Sequence, residues 1–202
     1  MPKKAPRSDW PFYGGTQLAW RYSALDQINT ANVKKVVLAW AFQTGDYEQG
    51  LQATPIVVDG VLYLSTTHSW VFGLDAARGK MLWQYRYALP RGAGGNIQNR
   101  GVAVGAGRVF VGTYDDYVVA LDQKTGAEVW KAATNDSKQC GCSITSAPLF
   151  VKDKVIVGVA GGNGAFRGYL TAFDAKTGRL AWRFFTIPGK GEKGNETWKG
   201  DS

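Results

Sequence analysis

The chain has 202 residues, is 45% hydrophobic and 13% aromatic, and carries a formal net charge of +8, a composition that excludes a disordered polymer and supplies apolar material for one large or two small domains. Apart from Lys3-Lys4 and Lys34-Lys35 its lysines are scattered, so no basic stripe suited to nucleic acid forms, and the charge serves solubility and the protection of strand edges. No apolar run approaches the roughly 20 residues that span a bilayer, and the basic start Met1–Arg7 leads into no apolar export segment.

In chain order, the opening Trp10-Pro11-Phe12-Tyr13-Gly14-Gly15-Thr16 and the run Arg21–Asn29 precede a lone apolar stretch near Val36–Phe42 that reads as a strand. Three fuller periods follow. In the first, Thr54–Val58 turns at Asp59-Gly60 and returns as Val61–Ser65, a strong hairpin signal. Trp70–Asp75 and Lys80–Tyr85 complete four strands. The second period reads Gly101–Val104, Arg108–Thr113, Tyr117–Asp122 and Glu128–Ala132. The third reads Ala147–Val151, Lys154–Val159, Gly168–Asp174 and Arg179–Phe184.

Each period closes on one block, Asp-x-x-x-Gly-x-x-x-Trp, at Asp75–Trp83, Asp122–Trp130 and Asp174–Trp182. With Trp40, the tryptophans stand 43, 47 and 52 residues apart, a repeat spacing. The Asp accepts turn amides, the Gly supplies a positive φ, and the Trp ends the outermost strand, where its area is best buried against a neighbouring sheet. This pattern predicts an all-β protein: a β-propeller fragment of about three four-stranded blades (53–86, 101–133 and 146–185), plus an N-terminal strand from a further blade within segment 10–43 and a C-terminal loop over 186–202. A single β-sandwich gives no reason for three matching blocks, and a β-solenoid needs shorter, more uniform periods.

The remaining reactive residues are few. Cys140 and Cys142 are too few for a disulfide scaffold and lack a second pair for a metal, so they read as small polar loop residues. His68, the single histidine, reads as a loop residue, and Asp115-Asp116 as an exposed hairpin pair.

The blocks, together with the opening segment, Asn99-Arg100-Gly101 and Arg167–Ala172, resemble the pyrroloquinoline quinone (PQQ) dependent dehydrogenases, and the match runs from Trp10 to Ser202. The family resembled is an eight-bladed propeller roughly two to three times this length, at about 45 residues per blade, so the chain looks like its N-terminal part. The resemblance implies PQQ in the central channel, bridged to the protein by Ca²⁺ or a lanthanide, and a periplasmic location. It implies oxidation of a small alcohol or sugar, with a cytochrome as electron acceptor.

By the same resemblance Arg100 reaches a PQQ oxygen or carboxylate, although an interblade ion pair is an alternative role. Thr145 matches a threonine that donates to a cofactor carboxylate, or else caps its own turn. Gly161 and Gly162 match the segment passing under the quinone. Gln52 stands at a cofactor-side position that is commonly glutamate, and Asn163 where relatives place a metal-binding glutamate. Gly94-Gly95 replaces an adjacent cysteine pair. The catalytic aspartate of the family matches none of Asp46, Asp115, Asp116 or Asp136, so little turnover is expected of this chain alone. Two further expectations follow: self-association through open blade edges, and, as an alternative function, a non-catalytic scaffold related to outer-membrane assembly lipoproteins.

Overall fold

Twelve strands form three separate four-stranded antiparallel meanders in the computed structural model, which describes residues 9–46, 48, 50–90, 97–134, 142–162 and 166–198. The first sheet holds β1 (Ile56–Val58), β2 (Val61–Ser65), β3 (Val71–Asp75) and β4 (Met81–Tyr85). The second holds β5 (Val102–Gly105), β6 (Arg108–Gly112), β7 (Tyr117–Asp122) and β8 (Glu128–Ala133). The third holds β9 (Leu149–Val151), β10 (Lys154–Gly158), β11 (Tyr169–Asp174) and β12 (Leu180–Phe185). Each sheet keeps strict sequence order, the arrangement of a propeller blade.

Local chemistry explains the register. Val58 pairs with Val61 across Asp59-Gly60, and both turn residues have positive φ (51° and 75°), the backbone a two-residue hairpin needs to match strand twist. The pairing of the third strand with the fourth slips at the same place in every blade, at Gly73/Leu74, Ala120/Leu121 and Ala172/Phe173. Directly after each slip comes the repeated block. Asp75 Oδ1 accepts the amides of Ala77 and Arg78, Asp122 Oδ1 those of Lys124 and Thr125, and Asp174 Oδ1 those of Lys176 and Thr177.

Those turns are also docking points. Trp40 Nε1 donates to the Ala76 carbonyl (3.2 Å), Trp83 Nε1 to Gln123 (3.2 Å) and Trp130 Nε1 to Ala175 (3.1 Å), in each case the residue after the block's aspartate. The indoles lie over Gly79, Gly126 and Gly178, where a β-carbon would come within 2.5, 2.5 and 2.8 Å of the ring, so the glycine is required by contact as well as by its positive φ. Each of these three tryptophans therefore clasps the blade that follows. Trp182 meets no such turn among the described residues and is 42% exposed, in a strand whose residues are all exposed.

Two apolar clusters fill the spaces between sheets. Ile56, Tyr63, Val71 and Trp83 of the first blade pack with Val102, Val109, Val111, Val119 and Leu121 of the second. Ala103, Phe110, Val118 and Ala120 pack in turn with Val155, Val157 and Phe173 of the third.

The N-terminal segment differs from expectation. Residues 36–42 form no ladder with any described segment, although Val36 is extended and Phe42 packs edge-on against Phe72. It is Trp10 that pairs, exchanging backbone hydrogen bonds with Val57 on the innermost edge of the first sheet.

Candidate functional site

The starts of the three innermost strands are tied together. The Thr54 amide donates to the Arg100 carbonyl (3.4 Å), and the Arg100 amide donates to the Thr145 carbonyl (3.1 Å), so equivalent points of successive blades form a hydrogen-bonded belt. Gly101 permits this approach. Its φ of 133° excludes most side chains, and a β-carbon there would stand 3.4 Å from both Ala147 Cβ and the Thr54 carbonyl.

The belt presents Arg100. Its side chain is exposed, with Nη1 donating to the Thr145 carbonyl (3.3 Å) and Nη2 to Gln98 Oε1 (2.5 Å). Both acceptors are neutral. Arg78, Arg108 and Arg167 pair with Asp75, Asp122 and Glu192, whereas Arg100 makes no ion pair among the described residues. Beneath it, Asn99 is buried and fully engaged: Oδ1 accepts Ser65 Oγ (2.6 Å) and the Gly101 amide (3.1 Å), while Nδ2 donates to the Gly112 carbonyl (2.8 Å) and Ser69 Oγ (3.3 Å). Between the opening segment and the inner strands lies a cavity of about 210 Å³, with Tyr13, Thr54, Arg100 and Ala147 in its wall.

The other sequence-derived positions are placed unevenly. Thr145 joins the belt through its carbonyl rather than its hydroxyl. Gly161 follows Ala160, which exchanges two backbone hydrogen bonds with Ser143, so the glycine segment runs beside the chain leading into Thr145. Gly162 is exposed with no atom of the described residues within 4 Å of its β-carbon direction, and Gln52 is exposed two residues before Thr54. Asn163, Gly94 and Gly95 lie outside the described residues.

Three readings need correction. Asp115 and Asp116 are no exposed pair: Asp116 is 0% exposed, and half-buried Asp115 accepts Tyr87 Oη (2.9 Å) and Thr113 Oγ1 (2.6 Å). Tyr87, on the connection after β4, holds Asp115, while Asp116 faces Cys142 and Tyr169 on the side of the third blade. Cys142 is buried and disulfide-bonded, not a small polar loop residue, and the sequence holds one other cysteine, Cys140, which lies outside the described residues. His68 is half-buried and built in, with its Nδ1 2.7 Å from Asp46 Oδ1 and its amide donating to Asp46 Oδ2 (3.0 Å). Burial presses the Asp46 carboxyl upward, but the Thr66 hydroxyl facing it and the two His68 contacts outweigh that and hold it below the usual carboxylate range.

Asp116 moves the other way. Burial dominates and raises its carboxyl above the usual range, against the hydroxyls of Thr134 and Tyr169 and the charge of Arg183. Its Oδ1 has no hydrogen-bond partner among the described residues, and Oδ2 lies 3.4 Å from Cys142 Sγ, which as a disulfide sulfur carries no proton to give. A raised folded pKa means that this group's contribution to stability is fully present below the ordinary aspartate range and is lost as pH rises through the folded value. Asp116→Asn is accordingly expected to gain stability over the native chain at pH 7 by about 1 kcal/mol, with the gain shrinking toward pH 4. Denaturant melts at both pH values check this, and an equal difference at the two would contradict it.

The protein-family description matching residues 10–202 is the PQQ glucose/ethanol/alcohol dehydrogenase β-propeller domain. The quinohemoprotein alcohol dehydrogenase of Comamonas testosteroni is 43% identical over 189 residues, which cover 92% of this chain and 27% of that protein, and its crystal structure superposes with a TM-score of 0.84. The 1-butanol dehydrogenase (cytochrome c) of Thauera butanivorans is 40% identical over 192 residues, 93% of this chain and 27% of that protein. A europium-containing methanol dehydrogenase structure has a TM-score of 0.86 at 36% identity, covering 93% of this chain and 33% of that one. The chain thus spans between a quarter and a third of the length of these relatives. With three ordered blades, interblade tryptophan clasps and a match over 10–202, the chain belongs to the PQQ-dependent alcohol dehydrogenase β-propeller family.

Proposed function

We propose that this chain forms the PQQ-side portion of a dehydrogenase that oxidises a small alcohol or sugar, and that Arg100 binds an anionic edge of the quinone. The observation that carries the reading is the unneutralised guanidinium of Arg100, held by two neutral acceptors at the belt of inner-strand starts. A planar fork with free N–H donors suits a planar tricarboxylate. The quinone, when bound, would accept hydride from the alcohol. The chain's own part is to orient and to supply positive charge: Arg100 at one edge, the Thr145 hydroxyl beside it, and the backbone at Gly161 and Gly162 leaving room for a flat ring. Asp46 and Asp115 are engaged by His68 and by Tyr87 and Thr113, so neither is a free proton acceptor.

The metal belongs to the same proposal. One structural relative is named for europium, and an amide oxygen such as that of Asn163, or of Gln52, ligates a hard cation without adding charge. Ca²⁺ or a lanthanide is therefore the class proposed. A cytochrome acceptor is proposed from the name of the Thauera relative, and a periplasmic location from the family resemblance. The scaffold alternative is not favoured, since relatives at 40–43% identity carry dehydrogenase names.

Titration of the chain with PQQ and Ca²⁺, following the quinone absorbance, tests the reading. Saturable binding is expected, weakened about tenfold or more by Arg100→Ala, the scale of one or two hydrogen bonds to a charged group. No saturation at high micromolar PQQ would overturn it. We further propose that the chain self-associates through the third sheet, where Leu170, Leu180, Trp182 and Phe184 are exposed. Sedimentation velocity should show association growing with concentration, and a single monomeric boundary at all loadings rejects the idea.

A further inference from the structure

We propose that Gln98 is a positioning residue that aims the Arg100 fork at an anionic ligand while leaving its charge uncancelled; this rests on the reading of Arg100 given above. The geometry is specific. Gln98 Oε1 stands 2.5 Å from Arg100 Nη2, and the Thr145 carbonyl takes Nη1 at 3.3 Å, so both ends of the guanidinium are fixed by acceptors on the protein side. Two of its five N–H donors are spent, leaving three for a ligand. The residue between them, Asn99, uses all four of its hydrogen-bonding positions to join Ser65 and Ser69 of the first blade to Gly101 and Gly112 of the second. Gln98 and Arg100 therefore project from a fixed backbone.

The neutrality of Gln98 is the informative part. A carboxylate could orient the same fork, but it would pair with the guanidinium and remove the field that attracts a polyanion, as Asp75, Asp122 and Glu192 do for their arginines. An amide oxygen orients without neutralising. Gln52, two residues before the belt, is likewise uncharged. This end of the inner strands thus meets a ligand with a full positive charge in a preset orientation, which lowers the ordering cost of binding.

The test is a set of PQQ titrations on the 202-residue chain at two ionic strengths, with thermal melts of each apo variant alongside. Gln98→Ala removes the acceptor and should weaken PQQ binding about fivefold to tenfold, the scale of one hydrogen bond to a charged group. Gln98→Glu keeps an acceptor but cancels charge, and should weaken binding at least as much while flattening its salt dependence. In an Arg100→Ala background Gln98→Ala should have no further effect. Gln98→Asn, which keeps a neutral acceptor on a shorter arm, should recover part of the loss seen with alanine. The inference is overturned if Gln98→Glu binds PQQ as tightly as the native chain with the same salt slope, or if the Gln98→Ala loss persists without Arg100. If Arg100→Ala itself leaves PQQ affinity unchanged, the cofactor reading fails first and this inference with it. If Arg100→Ala weakens binding and the Gln98 variants do not, only the role of Gln98 falls.

Discussion

Replacing Trp83 by alanine is expected to destabilise the chain by about 3–5 kcal/mol, the usual cost of deleting a buried large aromatic side chain. Trp83 is only 8% exposed, packs against Tyr63, lies over Gly126 and donates to the Gln123 carbonyl. The substitution opens a void between the first two blades and leaves that carbonyl without its partner. Trp182, in the matching position of the third blade, is the internal control. It is 42% exposed and meets no described turn, so Trp182→Ala should cost under about 1 kcal/mol. Denaturant unfolding of both variants, with the m-value compared, decides the matter. Equal losses would mean that the tryptophans act within their own sheets rather than as clasps between blades.

Asn99→Ala should cost about 3 kcal/mol, because the change strands buried groups at roughly 1–3 kcal/mol apiece. The Gly101 amide loses its acceptor and the Gly112 carbonyl loses its closest side-chain donor, while Ser65 and Ser69 lose one partner each. Asn99→Asp should be no gentler at neutral pH. It replaces the donor 2.8 Å from the Gly112 carbonyl by a carboxylate oxygen, two like-signed atoms in a buried place. Lowering the pH should relieve the aspartate variant and leave the alanine variant's deficit relative to the native chain unchanged, since only the former carries a titrating group at that position. Melts of the two variants across pH 4–7 measure this, and parallel curves would refute the assignment of Nδ2 to Gly112.

The strands were readable from the chain because two local signals agree: period-two alternation and turn pairs such as Asp59-Gly60 bound almost every element, and the observed ends fall within about two residues of those expected. Trp83 and Trp130 were readable as interblade residues since a large aromatic recurring once per period has to be covered by a neighbour. The polar contacts were not. Whether Asp116 points out or in depends on which residue of a four-residue turn faces the next connection, and Asp115-Asp116 contains no periodicity to say so. Asn99 and Gln98 look like ordinary polar residues before a strand, yet one bridges two blades and the other holds Arg100. The pairing of His68 with Asp46, 22 residues away, likewise required the fold. The stretch 36–42 has the residues of a strand, but strand formation is a property of pairs, and its side of the ladder has no described mate.

Each clasp joins a tryptophan to a carbonyl later in the chain, at separations of 36, 40 and 45 residues. On a ribosome, which releases the chain from its N-terminus, every indole is therefore synthesised before the turn that will shelter it. A wedge that has emerged keeps its ring uncovered until the following period is out of the exit tunnel, and then it is sealed by near neighbours alone. Assembly has a built-in direction, and at every moment the newest wedge is the sticky one.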